Sequence, residues 1–291
     1  MLYFHEKNLR NVNIVINKYI ESLKPFFLSS RGNIALYSFR ATDAMPLMEE
    51  VGRLREEAFR AAGGGTGEEL DIDCHDLAPD GYHQLIAWDI AGQRIVGGYR
   101  YLLCREDATE HISTLKYFSA SDRFVGEVLP YSIELGRSFT THNGAHSLFA
   151  MESLWQGLAQ IVRGLGWVKY LFGKVTIYPQ FDHLSHDVIR LFLKRFHPAH
   201  HPLLQARQPL REPLSEDCFS EGSYEENLTL LNRFLRSRGE RIPPMLNAYM
   251  RLARGMQSFD TIQNHDFGNT YETAILLPLS EINPTARERY F

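Results

Sequence analysis

The sequence predicts an α/β protein with a mixed central sheet flanked by helices and a helical C-terminal extension. Helix-type and strand-type hydrophobic patterns alternate along the 291 residues, no segment repeats, and hydrophobic residues make up 44% of the chain. A chain of this length can form one large domain or two ordinary ones. We expect one domain over residues 1–291, with an N-terminal helical segment at 1–30 and a helical excursion at 198–260.

Charge and cysteine content exclude several classes of protein. The net charge of −4, from 31 basic and 35 acidic residues, gives no general attraction to nucleic acid. The three cysteines, Cys74, Cys104 and Cys218, form no paired motif, which fits a reducing compartment better than a disulfide framework. We find neither a secretory signal pattern nor an apolar run long enough to span a bilayer. The protein is therefore expected in the cytoplasm.

The first predicted helix leaves two alternatives open. Its apolar stripe over residues 9–23 would pack against the protein's own core, which is the favoured alternative. The following Phe26-Phe27-Leu28 could instead touch a membrane surface, with Lys18 and Lys24 near the lipid headgroups. The second alternative would place the protein peripherally at the inner membrane face.

Hydrophobic periodicity and turn residues place the other elements. Strands are expected at 33–39, 82–88, 94–103, 167–177 (with a break at Gly173) and 273–279, besides the strand that carries Glu134. Helices are expected at 44–62, 181–196, 224–238 and 242–254, besides one that starts near Ser147. The strands at 82–88 and 94–103 form a predicted hairpin. Arg100 lies inside the second of them and must be paired or face a cleft, because a charge buried alone is costly.

Three motifs suggest phosphate or metal binding without the residues that such sites need. The glycines that follow the helix at 44–62 lack the Lys-Ser/Thr of a phosphate-binding loop and are interpreted as a mobile flap. The acidic segment 69–76 lacks the EF-hand pattern, so capture of a cationic substrate group and a solvated loop remain the alternatives to a metal. The histidines between 183 and 201 have no matching cysteines and no regular ligand face. No metal is predicted.

The main candidate site lies in the middle of the chain. It combines a strand with Glu134 and Arg137, a polar loop at Asn143–Gly144, and the helix that starts near Ser147. Residues three apart in a regular strand face opposite sides, so Glu134 and Arg137 share a cleft only if the strand bulges, and Leu135–Gly136 is the predicted place. A Glu–Arg pair that merely fixes the strand end is the alternative. The open N-terminus of the helix could hold an anionic group.

Four motifs in sequence order resemble the haemolysin-like branch of the GNAT N-acyltransferases. They are LREEAF at 54–59, DIDCHD at 71–76, IVGGYRYL at 95–102 and IELGRSFT at 133–140. That branch contains ornithine and glycine N-acyltransferases, and the acyl-homoserine-lactone synthases are a sister group. The resemblance continues through IPPMLNAYMRLARGM and DFGNTYETAILLPL, which favour the aminolipid branch.

The resemblance implies a GNAT-like sheet and roles for individual residues. Catalysis is expected from Glu134, Arg137 and Arg100, with Glu134 orienting the substrate amine or removing its proton. Substrate binding is expected from Arg55, Phe59, Asp73 and Asp76. Acyl-donor binding is expected from Leu135, Gly136, Ser138, Asn143, Gly144 and Ser147. A backbone N–H near Leu135 or Gly136 would stabilise the oxyanion. Removal of the Glu134 carboxylate should then abolish acylation without unfolding the protein.

The resemblance also implies the reaction, which is transfer of a (3-hydroxy)fatty acyl group to the α-amine of ornithine or glycine to give a lyso-aminolipid. GNAT enzymes that use acetyl-CoA carry an Arg/Gln-x-x-Gly-x-Gly/Ala loop for its pyrophosphate, whereas this chain has SFTTHNGAHS at 138–147. The departure favours the 4′-phosphopantetheine thioester of an acyl carrier protein as co-substrate, with acyl-CoA as the alternative and no bound cofactor. The rival hypotheses are a lactone synthase that uses S-adenosylmethionine and a non-catalytic acyl-carrier or lipid-binding protein.

Overall fold

The computed structural model describes residues 15–29, 33–141, 146–212, 219 and 221–291, with only the helix backbone at 146–148. The strands are β1 (Phe27–Leu28), β2 (Ile34–Arg40), β3 (His83–Asp89), β4 (Arg94–Leu103), β5 (Phe118–Ala120), β6 (Ser132–Thr140), β7 (Tyr170–Ile177), β8 (Leu204–Ala206), β9 (Gln257–Asn264) and β10 (Thr270–Pro278). The helices are α1 (15–22), α2 (Met45–Ala61), α3 (Cys74–Leu77), α4 (His146–Leu165), α5 (His183–Phe196), α6 (Tyr224–Ser237), α7 (Pro244–Leu252) and α8 (Pro284–Tyr290).

The described strands form one eight-stranded sheet in the order β1-β2-β3-β4-β6-β7-β10-β9, and β5 pairs with β8 in a small ribbon. Neighbouring strands of the large sheet run antiparallel, except that β6 and β7 run parallel. The connection between these two strands contains α4, as expected because parallel neighbours need a crossover. The predicted α/β fold, a mixed sheet flanked by helices, is confirmed.

Helices cover both faces of the sheet, and β2 shows how its sequence achieves this. Successive side chains of a strand point to opposite faces. Ile34 and Leu36 accordingly pack in the cluster that contains α4, whereas Ala35 and Tyr37 pack in the cluster that contains α2. The almost unbroken apolar pattern of β2 therefore reflects burial on both faces.

The parallel pair β6–β7 opens into a fork within the sheet. The two strands pair at four positions, from Ser132–Tyr170 to Leu135–Gly173, and the pairing ends there. A Cβ atom at Gly173 would lie 2.3 Å from the carbonyl oxygen of Leu135, so this close approach requires glycine. Beyond it, β6 stays paired to β4 and β7 stays paired to β10. The predicted break of β7 at Gly173 is thus a loss of pairing with β6, and β7 itself continues to Ile177.

The predicted bulge in β6 exists, but it lies further along the strand than Leu135–Gly136. Gly136 pairs with Arg100, and Phe139 pairs with Gly98, so two residues of β6 face one residue of β4. Those two residues are Arg137 and Ser138, and Arg137 has a left-handed φ of 49°. Such a backbone conformation is strained for a non-glycine residue and is typical of functional sites.

The segment predicted as a helical excursion contains strand as well as helix. Helices α6 and α7 confirm the patterns at 224–238 and 242–254 within one or two residues at most boundaries. The excursion also contains β8 and the start of β9, neither of which we predicted. Strand β9 was missed because its buried positions include the polar residues Gln257, Ser258, Thr261 and Asn264, which give no hydrophobic pattern.

The N-terminal helix packs on the core of the protein, as the favoured alternative predicted. Ile16 and Ile20 of α1 are buried in the same cluster as α2. Val15 within this helix and Phe26 and Leu28 after it are exposed, and membrane contact stays a prediction. None of the helices in the described ranges is both long and apolar enough to cross a bilayer.

The glycine segment after α2, predicted as a mobile flap, is tied to that helix. The Glu56 carboxylate accepts hydrogen bonds from the Thr66 N–H (2.9 Å), the Thr66 hydroxyl (2.9 Å) and the Gly67 N–H (2.8 Å). Gln180 donates to the Ala62 carbonyl where the segment begins. These contacts hold the segment against the body of the protein.

The histidines between 183 and 201 include two with structural roles. The buried His197 contacts the Met256 carbonyl (3.1 Å) and the Tyr224 hydroxyl (3.0 Å). The ring of His186 packs against Tyr271 at 4.1 Å, and its buried Nε2 has no hydrogen-bond partner. Burial, and next the nearby Arg190, lower the pKa of His186 to about 4.

We expect His186 to make the protein acid-sensitive. Between its ordinary pKa and its lowered pKa, the unfolded chain binds a proton that the folded chain does not, so stability falls as pH falls from about 6.5 to about 4. From pH 7 to pH 5, the loss in unfolding free energy should be about 2 kcal/mol. His186→Phe keeps a ring on Tyr271 and should remove this part of the loss. Urea unfolding at both pH values measures it, and an identical loss in both proteins would refute the assignment.

Candidate active site

The fork between β6 and β7 opens into a cavity of about 460 Å³. One part of its wall is apolar and includes Phe59, Leu135, Met151, Val175, Pro243, Pro244, Met245 and Phe267. Another part is charged and consists of Arg100, Arg137, Lys174 and Glu272. A cavity of this size, mostly apolar and with few polar groups, is typical of small-molecule sites.

Arg100 lies on the charged side of the cavity and is paired with two aspartates. Its Nη1 donates to Asp73 (2.8 Å) and to Asp76 (3.1 Å). Its guanidinium also lies over the ring of Tyr82 at 4.4 Å. Burial alone would lower the pKa of Arg100, but the two carboxylates outweigh burial and raise it well above its usual value. Arg100 is therefore a fixed positive charge, and the prediction that it must be paired is confirmed.

Arg137 is paired with a third aspartate. Its Nε lies 2.9 Å from an oxygen of the buried Asp71, a contact that joins the charges without hydrogen-bond geometry. Its Nη2 lies 4.0 Å from Asp73, and its guanidinium stacks on Phe267 at 4.4 Å. Burial, opposed by the Arg137 charge, raises the pKa of Asp71. For Asp73 the arginines win over burial, and the pKa of its carboxyl lies far below the usual value.

The loop 69–76 brings these carboxylates together through a capping box at α3. The Asp73 carboxylate accepts hydrogen bonds from the N–H groups of His75 and Asp76. The Asp76 carboxylate in turn accepts one from the N–H of Asp73. The capping box thereby fixes the orientation of the two carboxylates that contact Arg100. The motif is visible in the sequence as D-x-x-D, but the capping box was not among our interpretations of the acidic segment 69–76.

The predicted substrate-binding residues fall into two groups. Phe59 lines the cavity, and the Asp73 side chain is 30% exposed at its ion pair with Arg100. Arg55 and Asp76 are fully buried and pair with each other at 3.2 Å. Neither side chain lines the cavity, and direct contact of these two with a substrate stays a prediction. Asp76 also contacts Arg100 (3.1 Å), so the buried pair helps to fix the position of that arginine.

Glu134, which we predicted to orient the substrate amine or to remove its proton, is fully buried and does not itself line the cavity. Its carboxylate accepts hydrogen bonds from five donors: the Tyr82 hydroxyl, and the N–H and hydroxyl groups of Ser113 and Thr114. A general base must reach the proton that it removes. In this arrangement Glu134 instead anchors the short 3₁₀ helix Ser113–Lys116, whose first residue lines the cavity.

Lys174 and Glu272 are functional candidates that our sequence analysis missed. The Lys174 ammonium lies 3.3 Å from the Glu272 carboxylate, and the two side chains are 12% and 5% exposed. Each interrupts an apolar strand, Lys174 in YLFGKVTI and Glu272 in TYETAILLP. The rule that we applied to Arg100, that a charge inside a strand must be paired or face a cleft, would have identified both.

The predicted donor-binding residues are partly placed. Leu135, Gly136 and Ser138 line the cavity at the fork. Asn143 and Gly144 lie outside the described residues. Helix α4 begins at His146, within one residue of the predicted start, but the side chain of Ser147 is not among those described.

Potential metal ligands occur at the surface in the described part of the chain. Asp80, Glu110 and His111 bring one ligand atom each within 4.8 Å of one another. Two of the three residues are exposed, as solvated acidic groups without an ion commonly are. These residues do not line the fork cavity.

Comparison with known proteins identifies the family. Residues 54–156 match the family model described as acetyltransferase (GNAT) domain. The chain is 39% identical over 278 residues to the glycine N(alpha)-acyltransferase of Bacteroides thetaiotaomicron, which covers 90% of this chain and 82% of that one. The chain belongs to the GNAT N-acyltransferase family.

A second relative of this GNAT N-acyltransferase has the same name, and one solved structure aligns with most of the chain. The glycine N(alpha)-acyltransferase of Phocaeicola vulgatus is 39% identical over 277 residues, 90% of this chain and 85% of that one. The solved structure of FeeM, an N-acyl amino acid synthase from uncultured soil microbes, aligns over 88% of this chain and 97% of its own, with 11% identity and a TM-score of 0.45. The family assignment that we drew from four sequence motifs is confirmed.

Proposed function

We propose that this GNAT N-acyltransferase moves a (3-hydroxy)fatty acyl group from an acyl carrier protein thioester to the α-amine of glycine, giving a lyso-aminolipid. The observation that carries the proposal is the fork cavity, because it joins an apolar wall to a charged wall. The apolar wall can receive the start of an acyl chain, and the charged wall can receive an amino acid. The names of the two 39% identical relatives support glycine.

The charges of the cavity also favour glycine over ornithine. Ornithine carries a second ammonium group that needs an acidic partner. Among the described residues that line the cavity, Glu272 is the one acidic side chain, and one carboxylate does not provide separate partners for the two ammonium groups of ornithine. Asp73 is bound to Arg100, and Asp71 is bound to Arg137. No carboxylate of the described lining is left for an additional ammonium group.

The backbone of β6 at the fork supports the chemistry of acyl transfer. Past Leu135, the edge of β6 that faces β7 no longer has a strand partner. A backbone N–H near Leu135 or Gly136 would donate to the thioester oxygen as it becomes an oxyanion. Arg100 and Arg137 would add fixed positive charge beside it, held in place by the protein's own aspartates. We assign Glu134 a positioning role, because it anchors the 3₁₀ helix Ser113–Lys116 and thereby holds Ser113 at the cavity wall.

A second pocket supports a phosphopantetheine donor. This pocket, of about 770 Å³, is lined by Arg236 and Arg241 beside one acidic residue, Glu240, and shares Gln180 and Pro244 with the fork cavity. Cations at the mouth of a cavity attract phosphate or an acidic protein. Together with the absence of the pyrophosphate-loop pattern, this favours a carrier-protein thioester over acyl-CoA.

A matched assay tests the proposal. The full chain is supplied with one acyl group on either acyl carrier protein or coenzyme A, and with glycine, ornithine or S-adenosylmethionine as acceptor. Mass spectrometry of the products should show N-acylglycine, formed faster from the carrier protein. Formation of an acyl-homoserine lactone would instead show a lactone synthase. Tight binding of the acyl carrier protein without transfer to any acceptor would show a non-catalytic protein.

A further inference from the structure

The ion pair Lys174–Glu272 lies at the cavity wall on two adjacent strands. Lys174 pairs with Ala274 and Thr176 pairs with Glu272 in the antiparallel register of β7 and β10. Lys174 and Glu272 are therefore diagonal neighbours on one face of the sheet. We propose that these two side chains form the subsite for the amino-acid acceptor, Lys174 binding its carboxylate and Glu272 its α-ammonium group. This inference rests on the proposed function.

Both side chains are held in place and still have capacity to bind. The Glu272 oxygen Oε2 contacts Lys174 and accepts a hydrogen bond from Asn264 (3.1 Å). Both of these contacts are made by Oε2, so Oε1 can accept a hydrogen bond from the substrate. The Lys174 ammonium donates to the Ser113 carbonyl (3.5 Å) and lies 4.7 Å from the centre of the Tyr117 ring. An ammonium group has three donors, so one remains for a substrate carboxylate.

The other cations of the cavity are less suited to the acceptor. Arg100 contacts two aspartates and Arg137 contacts two, and Asp73 is common to both. Both guanidinium groups are thus already in contact with the protein's own carboxylates. Lys174 has one described acidic partner, Glu272. A zwitterionic amino acid carries one positive and one negative charge a few bonds apart, so it complements a single pair of opposite charges.

Glu272 would also receive the proton that acyl transfer releases. The acceptor enters as an ammonium and must lose a proton to give the neutral nucleophile, which Glu272 can accept. The amine nitrogen then forms a bond to the thioester carbonyl carbon, and the carbon–sulfur bond breaks. The second amine proton passes to the departing thiolate, and Glu272 releases its proton to water. The products are the amide, the thiol and one proton.

Two single substitutions separate the two roles. Lys174→Met removes the charge that would bind the acceptor carboxylate, and Glu272→Gln removes the proton acceptor while keeping an oxygen for Asn264. The acceptors are glycine and glycinamide, which has the amine but no carboxylate. Loss of a hydrogen bond to a charged group changes binding roughly tenfold to a hundredfold. Wild type should prefer glycine by this factor in kcat/KM, and Lys174→Met should reduce the preference to within about threefold of unity.

Glu272→Gln should act on turnover. We expect it to lower kcat roughly a hundredfold or more with both acceptors and to keep the preference for glycine. The double variant with both substitutions leaves neither charge unpaired in the interior and should show both defects. Because a preference is a ratio measured on one preparation, it does not depend on the folded fraction. Lys194→Met and Glu212→Gln, an exposed ion pair at 2.9 Å, are matched controls and should behave as wild type.

The outcomes distinguish this inference from the proposed function. If wild type makes no N-acyl product from any acceptor, the proposed function fails. If wild type is active but shows no preference for glycine over glycinamide, the subsite is refuted. An unchanged preference in Lys174→Met, or a kcat within about twofold of wild type in Glu272→Gln, would equally overturn it.

Discussion

Replacing Glu134 by alanine is expected to lower the free energy of unfolding by about 4 kcal/mol or more. The carboxylate is fully buried and satisfies five donors from Tyr82, Ser113 and Thr114. Each buried donor that loses its partner costs about 1–3 kcal/mol, and the deleted side chain leaves a cavity as well. Urea unfolding of the variant against wild type measures the loss. The earlier expectation that the carboxylate can be removed without unfolding the protein is therefore revised.

Glu134→Gln tests whether Glu134 positions the Ser113–Lys116 helix or acts directly as a base. Glu134→Gln keeps one acceptor oxygen and the shape of the side chain, so it should cost about 1–3 kcal/mol and keep acyl transfer within about tenfold of wild type. A direct base would lose about a hundredfold or more on this substitution. Glu127→Ala is the control, because its carboxylate is 65% exposed and pairs with Arg123 at the surface. A Glu134→Ala variant as stable as this control would show that Glu134 is no anchor.

Several helices and strands with a strong hydrophobic pattern were predicted with bounds within one residue of those observed. The hairpin expected at 82–88 and 94–103 is observed at His83–Asp89 and Arg94–Leu103. The helix expected at 44–62 is observed at Met45–Ala61. In each case the hydrophobic residues lie where the neighbouring layers bury them. Strand β9 was not predicted, because hydrogen bonding to β10 and not hydrophobic periodicity defines it.

The pairing of charges in the site was only partly predictable. Arg100 inside a strand demanded a partner, but Asp73 and Asp76, which supply it, were predicted only to bind the substrate. That Arg55 and Asp76 are buried together could not be inferred, since it depends on how α2 packs against the loop of α3. The orientation of Glu134 depends on Ser113 and Thr114, about twenty residues earlier in the chain. Only the three-dimensional structure brings these contacts together.

Filling the fork is expected to stop acyl transfer in a folded protein. Ser138 lies in the bulge of β6, lines the cavity and is only partly buried, with its hydroxyl 3.5 Å from the sulfur of Met245. Ser138→Trp would place an indole where we expect the donor thioester. Because displacement of reacting groups by about 1 Å can already cost a hundredfold, we expect at least that loss in kcat/KM. Ser280→Trp, at an exposed position away from the fork, is the matched control.

The central claim is that acyl transfer to the amino acid takes place in the fork between β6 and β7. The most direct test is the rate at which wild type, Ser138→Trp and Ser280→Trp form N-acylglycine from the same acyl carrier protein thioester, with urea unfolding of each protein in parallel. We predict wild-type rates for Ser280→Trp and a loss of about a hundredfold or more for a cooperatively folded Ser138→Trp. A folded Ser138→Trp variant with the wild-type rate would place the reaction elsewhere and contradict the claim.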